Sequence, residues 1–113
     1  MKSDVDDNIT KEVVVTVCHH IREENVEIIR RDKNEEFLNK YEYTRWDVQK
    51  VLNNLKIADY RAGPEKDRKE NLKHPVWIFS KHLDGIKVDI YIKIKVINRK
   101  RKIIVLSFHE EGL

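Results

Sequence analysis

Apolar and polar residues alternate with a period of two over the C-terminal third of the chain. Val76–His82, Ile86–Ile97 and Ile103–Phe108 read as three strands, and Asp84-Gly85 between the first two predicts a hairpin with a two-residue turn. That turn pairs Leu83 with Ile86, which sets Phe79 opposite Ile90 and Trp77 opposite Ile92. Ile86, Val88, Ile90, Ile92, Ile94 and Val96 then share a core face with both aromatics. Lys87, Asp89, Tyr91, Lys93 and Lys95 line the reverse face. The third strand carries apolar residues on both parities. A three- or five-residue turn through Arg99–Arg101 hides Ile104, Leu106 and Phe108, and the ~1.5–3 kcal/mol gained by burying each large side chain favours that choice. Val105, Ser107 and His109 then join the lysine face, with His109 across from Tyr91.

Upstream the period lengthens. Ile9, Val13, Val17 and Ile21 recur every four residues and predict a helix capped by Asn8 or Thr10, although Val13-Val14-Val15 also suits a strand. Val26–Arg30 reads as a short strand, and Asn34–Tyr41 as a helix presenting Phe37, Leu38 and Tyr41. Thr44 and Asp47 form a capping-box pattern ahead of Val48, Val51, Leu52 and Leu55, a helix expected to end near Lys56. Gly63-Pro64 forbids a further helix or a central strand, so Asp59 to about Pro75 is expected to be a long polar loop. Trp46 and Trp77 are read as core or helix-packing residues. The expected fold is one α+β domain, 1–113, with N-terminal helices packed on one face of a twisted antiparallel sheet that ends in a three-stranded meander. Residues 1–8 are expected to be a mobile acidic tail.

Composition narrows the setting. Of 113 residues, 40% are hydrophobic and 38% charged, enough for one modest core beneath a highly ionic surface. No apolar run approaches the ~18–20 residues of a membrane span, and Met1-Lys2-Ser3-Asp4 is unlike a secretory signal. Cys18 stands alone, without a CxxC pair. His19-His20 beside it suit surface or packing roles, because neighbouring helical residues diverge too far to chelate together. A reduced, cytoplasmic protein with no structural metal, no cofactor and no membrane partner is expected. The net charge of +3 conceals an uneven distribution. Lys87, Lys93, Lys95, Arg99, Lys100, Arg101 and Lys102 have only Asp89 among them, which suits a polyanion partner; a solvated hairpin also accounts for it.

A His, a Tyr and two Lys converging on one sheet face match the needs of metal-free RNA cleavage. Such cleavage requires a base for the ribose 2′-OH, an acid for the departing 5′ oxygen and cations for the charged phosphorane. Histidine exchanges protons near neutrality, which makes His109 the acid/base candidate. Tyr91 can donate a hydrogen bond or stack on a base. Lys93, Lys95 and Arg61 are candidate phosphate clamps, and Glu65 is a second candidate base. Each residue also has an ordinary reading: a histidine after a last strand is commonly an exposed terminal residue, and lysines on a sheet face keep a protein soluble.

The order Trp77, Asp84-Gly85, Ile90-Tyr91-Ile92-Lys93-Ile94 and Val105-Leu106-Ser107-Phe108-His109 resembles the MqsR family of bacterial toxin–antitoxin toxins. Thr44-Arg45-Trp46-Asp47-Val48, Leu55, Asp59-Tyr60 and Gly63-Pro64-Glu65-Lys66-Asp67 extend the likeness over the last seventy residues or so. The resemblance implies a RelE-like ribonuclease fold. It also implies a metal-independent endoribonuclease that cleaves mRNA, free or on the ribosome, and is neutralised by a cognate antitoxin protein. Tyr91 falls on the family's active-site tyrosine, and His109 where the best-known member has a lysine after Ser-Phe. Ile78 replaces the family's active-site glutamine. The loop lysine aligns near Ala62, so Arg61 or Lys66 takes its place. The expected site is therefore His109, Tyr91, Lys93 and Arg61 for catalysis, with Lys66, Arg68, Lys95 and Lys87 on the RNA. Two rival readings use the same face: a non-catalytic RNA- or ribosome-binding module, and a toxin of the same fold acting on a protein such as gyrase.

Overall fold

The computed structural model describes residues 25–65, 75–97 and 102–112. The helix expected from Ile9, the acidic tail, the Cys18-His19-His20 segment, Lys66, Arg68 and the Arg99–Arg101 turn lie outside the described residues. Within them the order is β1 (Asn25–Ile28), α1 (Asp32–Lys40), α2 (Arg45–Asn53), a 3-10 turn (Ile57–Asp59), β2 (Tyr60–Glu65), β3 (Val76–Leu83), β4 (Val88–Ile97) and β5 (Lys102–Glu110). Among the described residues no helix is long and apolar enough to cross a membrane.

The class is α+β, with five strands in the order β1-β5-β4-β3-β2. The expected meander is present as β3, β4 and β5. The sheet is mixed rather than antiparallel, because β1 runs parallel to β5 through Val26↔Ile103 and Ile28↔Val105. Every other described element lies between those two strands in sequence, so the chain returns to β1 from its starting end, the arrangement a parallel pair needs. The segment expected to be a loop from Asp59 begins instead as an edge strand. Pro64 has no N–H to give to a ladder, and an edge strand with register shifts on either side of Ala62 tolerates that. Gly63 is required there. Its φ of 131° is unsuited to other residues, and an added Cβ would approach the Val76 carbonyl to 2.9 Å.

Two features of the sheet differ from the sequence reading in register. The β3–β4 connection is four residues long, Asp84–Lys87, so Leu83 faces Val88, Phe79 faces Ile92 and Trp77 faces Ile94. A two-residue type I′ turn needs positive φ at both central positions; here Lys87, at φ 53°, takes the left-handed conformation and Gly85 does not. The slip is two residues, so every side chain keeps its face. Between β4 and β5 the expected parity holds only beyond Leu106. Ile97 faces Lys102 and Val105 faces Ile94, which puts Ile103 and Val105, not Ile104, in the core. The register then shifts, leaving Leu106 as an extra residue, after which Phe108 faces Ile92 and His109 faces Tyr91 as expected. One β-bulge thus lets both apolar parities of β5 reach the interior.

That bulge is held from α1. The Asn34 side chain is 1% exposed, donates to the carbonyls of Ile29 (2.9 Å) and Leu106 (3.1 Å), and accepts from the Phe108 N–H at 2.9 Å. Three residues along the helix, Phe37 meets Phe108 edge-on at 5.4 Å. The capping box of α2 forms as expected: Thr44 Oγ1 accepts from the Asp47 N–H while the Asp47 carboxylate accepts from the Thr44 N–H. Val48, Leu52 and Leu55 join the same buried cluster as Phe79, Ile92 and Phe108. Trp77 is buried, but Trp46 is 76% exposed, correcting its reading as a packing residue. Two residues on a helix span about 200°, so Trp46 lies across the helix from Val48.

Candidate functional site

The face of β3, β4 and β5 opposite Phe79, Ile92 and Phe108 is a grid three residues wide. Its middle row is Ser80, Tyr91 and His109, in direct register across the strands. On one side lies the row Ile78, Lys93 and Ser107. On the other His82 faces Asp89, and the N–H of Glu111 donates to the Asp89 carbonyl at 2.9 Å. Exposure changes along this grid. Lys95, one row beyond Lys93, is 6% exposed and lies between Val76 and Ile104, whereas His82, Asp89 and Glu111 are exposed. The face therefore opens at its acidic end.

Tyr91 and His109 are stacked, with ring centroids 5.5 Å apart and planes 27° from parallel. His109 Nδ1 lies 2.9 Å from the carbonyl of Glu110. A carbonyl only accepts, so Nδ1 carries the ring proton and donates it, which leaves the Nε2 lone pair as the proton-accepting end. His109 is 8% exposed, so this chemistry lies at the bottom of the face rather than on its surface.

Glu110, on the opposite parity, ties this position to α1. Its carboxylate accepts from the Tyr41 hydroxyl at 2.6 Å and from Lys40 Nζ at 3.0 Å. The Tyr41 hydrogen bond, then Lys40, hold the Glu110 carboxyl below the usual carboxylate range, and Glu110 correspondingly raises Lys40. A depressed folded value means that the latch stabilises fully above the unfolded value near 4.5 and is lost as pH falls through the folded one. Glu110→Gln is therefore expected to melt below the wild type at pH 7, with the gap narrowing as melts are taken toward pH ~3. A gap that stays constant with pH would show that the carboxylate charge is not what holds the latch.

The remaining predicted site residues scatter. Lys93 is half-buried beside Tyr91 and across from Ser107. Lys87 is exposed in the β3–β4 turn. Arg61 lies on β2, with β3 and β4 between it and β5, and its Nη1 donates to the carbonyls of Ala58 and Tyr60 at 3.0 Å. Lys102 pairs with Glu27 of β1. The cations near the C-terminus thus form no single patch among the described residues, and two acids share the face with Lys93. Ile78 faces Lys93 where the resemblance has a glutamine.

Sequence reasoning overlooked three residues here. Ser80 and Glu111 are bonded to each other, Ser80 Oγ donating to Glu111 Oε2 at 2.9 Å, over the middle of the grid. Alternation already placed Ser80 on the polar face, and continuing it two residues past His109 would have found Glu111. Asn34 had a signal as well: it occupies the first position of the stripe Asn34, Phe37, Leu38, Tyr41, where an apolar residue is the norm. Comparison with protein-family models, with curated proteins and with solved structures returned no match to this chain.

Proposed function

We propose that this chain is a toxin-like, metal-independent mRNA endoribonuclease of the RelE-like type, neutralised by an antitoxin protein. The observation that carries the reading is the stacked Tyr91–His109 pair, in which His109 Nδ1 donates to the Glu110 carbonyl and so leaves Nε2 to exchange protons. In this reaction the ribose 2′ oxygen attacks the adjacent phosphorus, the bond from phosphorus to the 5′ oxygen breaks, and that oxygen takes a proton. His109 Nε2 serves one of the two proton transfers. Tyr91, half-buried beside it, stacks on or hydrogen-bonds a nucleotide base. Lys93 lies one row away, where an ammonium stabilises phosphorane charge. Arg61 and Lys87 are assigned to the RNA backbone farther out, Arg61 after release from its own turn, and the Lys66 and Arg68 assignments rest on the sequence resemblance alone.

The test is a product analysis. Purified protein incubated with a largely unpaired RNA and excess EDTA is expected to yield fragments ending in 2′,3′-cyclic phosphate and 5′-hydroxyl. In the rival reading, a binding module without catalysis, the low exposure of His109 keeps the imidazole from the RNA. That reading predicts intact RNA retained with steep salt dependence.

A further inference from the structure

The candidate second base, Glu65, lies on β2 with two strands between it and β5, whereas Glu111 puts a carboxylate on the face of His109. We propose that Glu111 is the general base for the 2′-OH and that His109, as imidazolium, is the acid for the 5′ oxygen; this assignment rests on the ribonuclease reading. Glu111 follows His109 by two residues, in the turn that closes β5, and its bond to Ser80 puts its carboxylate on the face of Tyr91 and His109. Its N–H is held by the Asp89 carbonyl and its carboxylate by Ser80 Oγ. Ser80 belongs to β3, two strands from β5, so a side chain reaching it crosses over β4 beside Tyr91. The carboxylate thus reaches over the middle strand, on the face that carries the Tyr91–His109 stack. The other acid of that row, Asp89, is turned to His82 at the exposed end, its Oδ1 2.7 Å from His82 Nδ1. Glu111 is also at the exposed end of the face, with His82 and Asp89.

The division of labour comes from the hydrogen bonds. The Glu110 carbonyl accepts from His109 Nδ1 whether or not Nε2 is protonated, so the ring can carry a proton on Nε2 without losing its anchor. Among the described residues the Glu111 carboxylate accepts one hydroxyl bond, from Ser80, which leaves lone pairs for the substrate. Glu111 takes the 2′ proton as the new oxygen–phosphorus bond forms. The bond to the 5′ oxygen breaks, and His109 Nε2–H supplies that oxygen with its proton. The two residues end with exchanged proton states and reset through water, with no further reactant.

A leaving-group substitution separates the two roles. Wild type, Glu111→Gln and His109→Ala are assayed on one RNA and on the same RNA with sulfur replacing the bridging 5′ oxygen at the cleaved bond. A thiolate departs without an acid. His109→Ala is expected to lose at least 100-fold on the ordinary RNA and to come within about tenfold of wild type on the sulfur-bridged one. Glu111→Gln, which keeps an acceptor for Ser80, is expected to lose about 100-fold on both. Glu111→Asp, with a shorter reach, should fall between wild type and Gln on both. Wild-type rates for Glu111→Gln, or its recovery on the sulfur-bridged RNA, overturn the assignment alone. Wild-type protein that cleaves neither RNA overturns the ribonuclease reading and this assignment together.

Discussion

Asn34→Ala is expected to lower folding stability by about 2–4 kcal/mol, as much as truncating a buried Leu or Ile. One amide serves three backbone groups on two segments, just past β1 and within β5, and its removal orphans the Leu106 carbonyl and the Phe108 N–H in the interior. Each buried orphan costs roughly 1–3 kcal/mol, far more than one surface hydrogen bond. The consequence reaches the site, because the bulge sets the parity of β5. Without it, a strand continuing from Ile103 and Val105 would carry Phe108 to the polar face and His109 toward the core. Asn34→Asp, which keeps the acceptor for Phe108 but loses both donors, should also be less stable than wild type. Urea titrations with unchanged slope read the loss directly. A change below about 0.5 kcal/mol for Asn34→Ala would mean that the bulge stands without its clamp.

Substituting His109 should have the largest effect on activity. His109→Ala is expected to reduce RNA cleavage about 10²–10⁴-fold, the usual worth of a positioned acid or base. Because the ring is buried and anchored, His109→Asn is the sharper variant. Its amide can still donate to the Glu110 carbonyl, but it has nothing in the place of Nε2 that exchanges protons. A folded His109→Asn protein should therefore bind RNA as wild type does and cleave it as poorly as His109→Ala. Cleavage at the wild-type rate would remove the proposed mechanism.

Local features were legible in the sequence, and those decided by distant contacts were hidden. Side-chain parity along β3 and β4 was legible because a slip of two residues leaves it intact; a four-residue turn in place of the expected two changed every pair and no face. The capping box of α2 was legible because it is a matter of Thr44 and Asp47 alone. β5 was harder. Ile103, Ile104, Val105 and Leu106 offer apolar side chains to both faces, and only a tertiary contact from a helix some seventy residues earlier decides where the strand bulges. The prediction of Phe108 inward and His109 beside Tyr91 came true by a different route, an even connection plus one extra residue. The edge strand at Tyr60–Glu65 was hidden for another reason. Gly63-Pro64 excludes a central strand, and sequence alone does not say which strands lie at an edge. Charge was least legible: Lys95 is buried, Arg61 folds onto its own turn, and Glu111 joins the expected Asp89 on the lysine face.

The most direct test is a double-mutant cycle between Tyr91 and His109, read on the rate of RNA cleavage with each protein's folding checked. If the two rings form one reaction centre, Tyr91→Ala together with His109→Ala should lose little beyond the larger single loss, a coupling of about 1 kcal/mol or more. Losses that simply multiply, or single variants that cleave as fast as wild type, would contradict the account.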